Sequence, residues 1–467
     1  MIEFVLFGFI FLFIIVGYIA KEKDEGAESF HLANRRLNRW LVGISAGATA
    51  NSGFIVVGAV GMGYMMGLSS LLYPLAWFFG DLIFWYFFAS KIRQLDAVKE
   101  SFTVSEVLTF YNNDKILKIL SATIIVTLIT IYASSQLIAS TKIVSSFSEI
   151  SNSLAIFLSF VFVIAYTIWG GFKSSVYTDV LQGIMMLLLT LGVLWWGIEE
   201  VGGIASFFQS IEKVSDSYAS ILGENSSYAI LSIILGMSFA SLGFSLSQPQ
   251  VITRVFAAKD ENEIKAARWI YISFLHFTWI GMSLIGIIAR ILMPELQDAE
   301  VALPALAKEN FNNLVIGFIF AAMVATVLSS VDSMLVSVAS SLSLDFGVEK
   351  RVGLNSKITH RLIILMIGLV ALVFALFLKS TVFSIVLFAV SIMSASIGVA
   401  ILMLTLGISN NSKTLKITII VGLITSIVWR VFELQQLISE TFIGMLFAFL
   451  AGIIYEQYRK RMPNSRL

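Results

Sequence analysis

The stretch SAGATANSGF, residues 45–54, lies inside an apolar run long enough to cross a membrane, yet its side chains are small or polar. Helix breaks at membrane depth are tolerated only where the backbone lines a cavity or is buried in protein. Thr49, Asn51 and Ser52 cluster beside the last glycine of the stretch. We therefore expect an unwound segment whose freed carbonyls and amides contribute to a solute and ion site. A close-packed seam of small residues between helices is the alternative interpretation.

The whole chain has the composition of a membrane protein. Of its 467 residues, 58% are hydrophobic and 13% are charged, whereas soluble domains carry about 25% charged residues. The absence of cysteine excludes disulfides, thiolate metal sites and cysteine nucleophiles. A formal net charge of +1 argues against a nucleic-acid partner.

Thirteen apolar stretches of about twenty residues predict transmembrane helices in a single membrane domain, residues 1–467. The predicted spans are residues 2–20, 41–65, 68–90, 117–145, 153–170, 176–198, 228–254, 266–292, 312–344, 357–378, 381–406, 415–432 and 440–458. Most of the 31 Lys and Arg residues, Arg254 among them, fall in alternate connections. This asymmetry predicts a multi-pass protein of the cell (inner) membrane, with its N-terminus outside and its C-terminus cytoplasmic.

A second interruption of a span is SLGFSLSQPQ, residues 241–250. Pro249 removes a backbone donor among small and polar residues, which predicts a break, with an ordinary kink at a helix end as the alternative. Two broken helices, each opening one half of a five-plus-five arrangement, are typical of inverted-repeat transporters. The expected organisation is an extra first helix with an inward loop (1–40), a first repeat (41–199), a second repeat (228–407) and two C-terminal helices (408–467).

The stretch MVATVLSSVDSML, residues 323–335, places an aspartate and several hydroxyls within an apolar helix. A charge near the middle of a span costs about 2.5–3.5 kcal/mol. Ser329, Asp332 and Ser333 have the spacing i, i+3, i+4 and so share one helix face. Hydroxyl and carboxylate oxygens suit a hard cation, so we predict a cation site. Serines that bond back to helix carbonyls are the alternative, which leaves Asp332 uncompensated.

A further carboxylate occurs in YTIWGGFKSSVYTDVLQG, residues 166–183. Asp179 is either a helix N-terminal acid favoured by the helix dipole or a partner of Asp332 in a shared ion site, because two facing carboxylates repel unless a cation lies between them. His276, in an apolar helix, is expected to be structural. For Asp81, a structural polar contact and a functional role both remain open.

These motifs carry a family resemblance. In chain order, FHLANRRLNRW, GISAGATANSGF, YTIWGGFKSSVYTDVLQ, SQPQVITRVFAAKDENE and LSSVDSML together resemble the sodium/solute symporter family over nearly the whole chain, most of all its bacterial sodium/proline symporters. The resemblance implies an all-α integral membrane fold of about thirteen transmembrane helices. Its core is a leucine-transporter-type inverted repeat of five plus five helices, with one extra N-terminal and two extra C-terminal helices. The implied activity is sodium-coupled import of a small organic solute, such as the amino acid proline, by a monomer in the lipid bilayer through alternating access.

The same resemblance implies particular site residues. The first sodium ion would be bound by the backbone carbonyls of Ala48, Asn51 and Thr326 and the hydroxyls of Ser329 and Ser330. A second sodium position, used by some members, matches Asp179, Ser329, Asp332 and Ser333. The implied substrate-binding residues are Ala50, Ser52, Phe54, Tyr132, Gln136, Ser241, Phe244 and Ser245.

Several substrate positions depart from the proline-type pattern. Proline-type members have an acid at the position of Ala50, tryptophan at those of Phe54 and Ser241, and tyrosine at that of Ser245, whereas Tyr132 matches. Proline is therefore one candidate among several. No arginine falls in the central half of a core span, which weakens solutes that need a cationic clamp.

Two other transporter-like functions are alternatives to sodium-coupled import. Asp179 and Asp332 could carry protons in a proton-coupled symporter of a small organic acid, and a transporter-like body could serve as a solute sensor. An enzyme is not expected. GFSLS, residues 243–247, lacks the final glycine of a hydrolase turn, and the chain has no H-E-x-x-H motif of zinc proteases.

Overall fold

The computed structural model describes residues 1–20, 27–147, 151–168, 171–353, 356–378 and 380–461, and these are almost entirely helical. Within those ranges, eleven helical runs are long and apolar enough to cross a membrane. One of them, Arg39–Gln94, covers two predicted spans, and a shorter apolar helix, Ser153–Ala165, corresponds to another. Every predicted span therefore coincides with a helix, and the all-α prediction is confirmed.

The helices are numbered in chain order. They are α1 (Ile2–Ala20), α2 (Ala27–Leu32), α3 (Arg39–Gly53), α4 (Val60–Met66), α5 (Leu72–Ile83), α6 (Ala89–Gln94), α7 (Asp96–Glu100), α8 (Val104–Thr109), α9 (Lys115–Phe147), α10 (Asn152–Thr167), α11 (Phe172–Glu200), α12 (Gly203–Val214), α13 (Ser227–Ser247), α14 (Pro249–Phe256), α15 (Glu261–Leu292), α16 (Ala302–Asn310), α17 (Asn313–Leu344), α18 (Val348–Val352), α19 (Ser356–Phe377), α20 (Val382–Met393), α21 (Val399–Thr405), α22 (Ser412–Val431) and α23 (Glu440–Arg461).

The first predicted break lies near the end of α3. Ser52 has φ 52° and ψ 179°, and a wide helical turn, Phe54–Ala59, leads from there into α4. The left-handed residue is thus a serine rather than the neighbouring glycine. Gly53 is required for space instead, because a Cβ atom there would lie 2.8 Å from Ala139 Cβ and 2.9 Å from Gln136 Oε1.

The second predicted break separates α13 from α14. Gln248 is extended, with φ −78° and ψ 109°, and Pro249 begins the next helix. A residue that precedes proline is driven out of the helical region by the proline ring, and proline is well suited to the first position of a helix because its missing N–H has no helical partner there. Both predicted interruptions are therefore confirmed.

The chain before α3 is tied to the residues between α14 and α15. Leu37 N donates to Ala257 O at 3.1 Å, and Lys259 N donates to Leu37 O at 2.9 Å. Arg39 forms two hydrogen bonds of 3.1 Å with the carboxylate of Glu263 at the start of α15. These contacts fix α3, α14 and α15 relative to one another, which positions the polar groups described below.

Candidate functional site

Backbone carbonyls at the end of α3 meet hydroxyls of α17 in the buried centre of the protein. Ser329 Oγ donates to Ala48 O at 3.2 Å and to Thr326 O at 2.9 Å. Ser330 Oγ donates to Thr49 O at 2.9 Å. These neutral oxygens are hard donors, the type that binds hard cations. The arrangement brings together four of the five predicted ligands of the first sodium ion.

The fifth predicted ligand is engaged elsewhere. The carbonyl of Asn51 accepts the backbone N–H of Phe54 in the turn after the break. Its side-chain Nδ2 donates to Thr278 Oγ1 of α15 at 2.7 Å. Asn51 therefore links the broken helix to α15, and the carbonyl that faces α17 next to that of Ala48 belongs to Thr49.

Asp179 of α11 lies beside this cluster and is fully buried. Its Oδ2 accepts hydrogen bonds from Ser45 Oγ at 2.7 Å, from Thr49 Oγ1 at 3.2 Å and from Arg254 Nη2 at 2.9 Å. Its Oδ1 has no hydrogen-bond partner among the described residues. One carboxylate oxygen is thus satisfied by protein donors, whereas the other can accept a further donor or a cation.

Arg254 is a member of this cluster that the sequence analysis does not place there. The charge count places it in an inward connection, but it lies in α14 with 1% of its surface exposed. Besides Asp179, its Nη2 contacts Ser333 Oγ at 2.5 Å, its Nε donates to Ser45 Oγ at 3.1 Å, and its Nη1 donates to Gln250 O at 2.5 Å. The positive charge beside Asp179 is therefore the guanidinium of Arg254. The available signal was its apolar context, VIT before it and VFAA after it.

Asp332 completes a cluster of three charged side chains. It is 3% exposed, interacts with the Ser175 hydroxyl, and is electrostatically coupled to both Asp179 and Arg254. Ser175 Oγ in turn lies 3.1 Å from Ser333 Oγ. With all three groups ionised, two carboxylates and one guanidinium leave one negative charge, which a single monovalent cation or proton would neutralise.

A largely apolar cavity lies on the other side of the α3 break. Its lining is Ala50, Phe54, Ile55, Trp77, Tyr132, Met237, Phe244, Leu275, Trp279, Phe383, Val386, Leu387 and Val390. Four of the predicted substrate residues, Ala50, Phe54, Tyr132 and Phe244, are in this lining. A cavity with mostly apolar walls and a few polar atoms is typical of small-molecule sites.

The other four predicted substrate residues lie outside this lining. Ser52 Oγ accepts the Tyr132 hydroxyl at 3.3 Å, and Gln136 Oε1 accepts the amide of Gly53 at 2.7 Å. These two hydrogen bonds tie the α3 break to α9. Ser245 is fully buried, and Ser241 belongs to a separate polar group.

That polar group is centred on Asp81 of α5. Its Oδ1 accepts Ser241 Oγ of α13 at 2.8 Å, and its Oδ2 lies 3.2 Å from His276 Nε2 of α15. All three residues are buried. Asp81 thus joins three helices behind the cavity, and the structural interpretation of His276 fits this placement.

The aromatic side chains of the cavity form a continuous chain. The Phe54 ring lies 5.1 Å from that of Trp279 and 5.5 Å from that of Phe383, measured between centroids. Trp77 continues the chain, 5.6 Å from Trp279 and 5.5 Å from Phe244. Rings at these separations attract one another and form a firm wall.

Comparisons with known proteins point to one family over most of the chain. The model of the sodium:solute symporter family matches residues 30–422. The osmoregulated proline transporter OpuE of Bacillus subtilis is 28% identical over 465 residues, which are 97% of this chain and 94% of that protein. The sodium/proline symporter of Escherichia coli is 25% identical over 474 residues, 98% of this chain and 93% of that protein.

Solved structures show the same fold. A Na⁺-coupled sialic acid symporter in a substrate-bound outward-open state has a TM-score of 0.80 at 19% identity, over 98% of each chain. Mhp1, a nucleobase-cation-symport-1 family transporter, has a TM-score of 0.57 at 14% identity, over 92% of this chain and 94% of that one. MhsT in complex with L-phenylalanine has a TM-score of 0.51 at 13% identity. The predicted transporter fold is confirmed.

Proposed function

Because the chain belongs to the sodium:solute symporter family, we propose that it imports a small zwitterionic amino or imino acid together with sodium by alternating access. The observation that carries the proposal is that the break in α3 contributes both to the proposed sodium site and to the cavity. The Ala48 and Thr49 carbonyls accept hydroxyls of α17, while Ala50 and Phe54 line the cavity. A sodium ion that orders this turn therefore also orders the wall against which the solute binds.

The names of two relatives support an amino acid of the proline type, since OpuE and the Escherichia coli protein are a proline transporter and a sodium/proline symporter. Tyr132, which matches the proline-type pattern and lines the cavity, also supports a solute of the proline type. At Ala50 and Phe54 the chain departs from the proline-type pattern, and both residues line the cavity. Proline is therefore the first of several apolar amino acids to test.

We place the first sodium ion on Ala48 O, Thr326 O and the hydroxyls of Ser329 and Ser330. A second cation, sodium in this proposal, would bind between Asp179 Oδ1 and Asp332, where the cluster lacks one positive charge. A membrane potential supplies about 2.3 kcal/mol per charge per 100 mV, and a tenfold sodium gradient supplies about 1.4 kcal/mol more. One coupled sodium ion can therefore sustain roughly 500-fold accumulation of a neutral solute.

The proposed setting is the cell (inner) membrane, with a monomer as the functional unit, the N-terminus outside and the C-terminus in the cytoplasm. We place the two repeats at residues 41–199 and 228–407, so that each begins with one of the broken helices. Fusion of a reporter enzyme to each terminus tests the orientation, and cross-linking in native membranes tests the monomer.

Thermal unfolding of the purified protein tests the proposal. A ligand that binds only the folded state raises stability by RT ln(1 + [L]/Kd). Sodium chloride should raise the melting temperature relative to choline chloride, and proline or another apolar amino acid should raise it further only when sodium is present. Stabilisation by a solute to the same extent in choline would contradict sodium coupling, and no response to any amino acid would contradict the substrate class.

A further inference from the structure

Two indole N–H groups at the cavity have no acceptor. Trp77 of α5 and Trp279 of α15 both line it, and the Nε1 atom of each is buried without a hydrogen-bond partner in the part of the chain that the structure describes. An unpaired buried donor costs about 1–3 kcal/mol, and the great majority of buried polar groups in native proteins are paired. Two such donors on neighbouring rings call for an acceptor that comes from outside the chain.

The rest of the lining defines what that acceptor belongs to. The other described lining residues are apolar except for Tyr132, whose hydroxyl donates to Ser52, and none of them is charged. A ligand there meets apolar walls and the two tryptophan rings that carry the unpaired N–H groups, but no cationic side chain. That combination fits an apolar body with acceptor oxygens and no net charge.

The Asp81–His276 pair explains why the two indoles lie side by side. Asp81 follows Trp77 by four residues on α5, and His276 precedes Trp279 by three residues on α15, so each member of the pair shares a helix face with one tryptophan. The contact of 3.2 Å between the pair therefore fixes the register of the two helices one turn away from the rings.

We propose that Trp77 and Trp279 are specificity-determining residues, whose indole N–H groups donate to the carboxylate oxygens of an apolar amino or imino acid. The rings of Phe54, Phe244 and Phe383 enclose its apolar body, and Asp81 and His276 act as positioning residues for the two donors. This assignment rests on the proposed function, because it takes the cavity as the solute site.

Binding by paired ligands tests the assignment. The dissociation constants of L-proline and L-leucine in sodium chloride are compared with those of pyrrolidine and isoamylamine, which keep the apolar body and the amine but lack the carboxylate. Trp77→Phe and Trp279→Phe each remove one N–H group and keep an aromatic ring. Each should weaken binding of the acids about tenfold or more, as expected for a hydrogen bond to a charged group, and should change binding of the amines much less.

The chain offers two matched controls. Trp85 is also buried with an unpaired Nε1 atom, but it lies outside the cavity lining, so Trp85→Phe should leave all four constants unchanged. Phe244→Leu removes a ring from the lining and should weaken acid and amine alike. Should one cavity variant fail to fold, the other carries the same prediction.

Each outcome decides between two claims. Sodium-dependent binding of an acid that Trp77→Phe and Trp279→Phe leave unchanged, or that they weaken no more than the matching amine, would overturn the assignment and leave the proposed function intact. Failure of both L-proline and L-leucine to bind in sodium chloride would overturn the proposed substrate class and this assignment with it. Selective loss of the acids, with Trp85→Phe silent, is the result that we expect.

Discussion

Arg254 and Asp179 form an ion pair of 2.9 Å inside the membrane domain, and both side chains are almost completely buried. The pair joins α14, the second half of a broken helix, to α11, and Ser333 extends it to α17. A buried charge is tolerated only when it is paired and hydrogen-bonded. The guanidinium of Arg254 thereby holds α14 against α11 and α17.

Removal of the guanidinium should destabilise the protein strongly. Arg254→Gln leaves Asp179 buried without its partner, and breaking a buried pair from one side costs about 3–5 kcal/mol. The melting temperature in detergent should fall well below that of wild type. The double variant Arg254→Gln with Asp179→Asn should recover part of the loss, because it removes the uncompensated charge.

A second ion pair provides the control for this experiment. The side chains of Arg39 and Glu263 share two hydrogen bonds, but Arg39 is 47% exposed, and exposed pairs contribute about 0.2–1 kcal/mol. Arg39→Gln should therefore lower the melting temperature only slightly. Equal losses in Arg254→Gln and Arg39→Gln would show that the buried pair has no special role.

The hydroxyls of α17 should set the response to sodium. Ser329→Ala and Ser330→Ala each remove one proposed ligand and one contact to the α3 carbonyls. We expect the sodium concentration for half-maximal stabilisation to rise about tenfold or more, which corresponds to the loss of about 1.4 kcal/mol of binding energy. Ser337→Ala, on the same helix, removes only a hydroxyl that donates to Ser333 O and should leave the sodium response unchanged.

The break in α3 should not tolerate a methyl group at Gly53. The Cβ atom of Gly53→Ala would lie 2.8 Å from Ala139 Cβ and 2.9 Å from Gln136 Oε1, the acceptor of the Gly53 amide. Forcing an atom into a packed region costs about 1–3 kcal/mol, so stability and solute binding should both fall. Gly192→Ala, where no atom lies within 4 Å, is the control. Wild-type binding by Gly53→Ala would mean that this contact does not shape the site.

Asp345, just beyond the C-terminal end of α17, should give stability a pH dependence. It accepts hydrogen bonds from Ser341 Oγ at 2.6 Å and Thr103 Oγ1 at 2.8 Å, and burial raises the pKa of its carboxyl to about 6. The carboxyl of an unfolded chain titrates near pH 3.9. Between these values the folded state binds more protons than the unfolded state, so stability should fall as the pH rises from about 4 to about 6.

Asp345→Asn should remove this contribution. Melting temperatures of the two proteins are measured from pH 4 to pH 7, and the difference between the two curves isolates Asp345. Burial also lowers the pKa of His31 to about 4, which makes the folded state less stable as the pH falls, but this contribution is present in both proteins and cancels. Parallel curves would contradict the predicted pH dependence.

The sequence predicts the helices and both breaks because these depend on local features. Runs of apolar residues fix the spans, and Pro249 dictates the second break through its own ring and missing N–H. The first break follows from small and polar residues near Gly53, although the left-handed conformation falls on Ser52. That detail depends on the space between α3 and α9, which a local pattern does not contain.

The partners of charged residues are the part that could not be predicted. Arg254 is 75 residues from Asp179 in the chain, and nothing near either residue indicates that α14 and α11 meet. For the same reason the hydrogen bond from Ser241, a predicted substrate residue, to Asp81, 160 residues away, could not be predicted. Contacts between distant helices depend on how the helices pack, so sequence patterns suggest which residues matter more readily than which residues they touch.

Sodium-driven uptake into proteoliposomes tests the central claim most directly. Vesicles that contain the purified protein are given labelled L-proline, and in parallel labelled L-leucine, with an inward sodium gradient or with equal sodium on both sides. We predict accumulation above the external concentration only with the gradient, and its loss in the Ser329→Ala, Ser330→Ala double variant. Uptake that is the same with and without the gradient, or that the double variant retains in full, would contradict sodium-coupled symport through the site between α3 and α17.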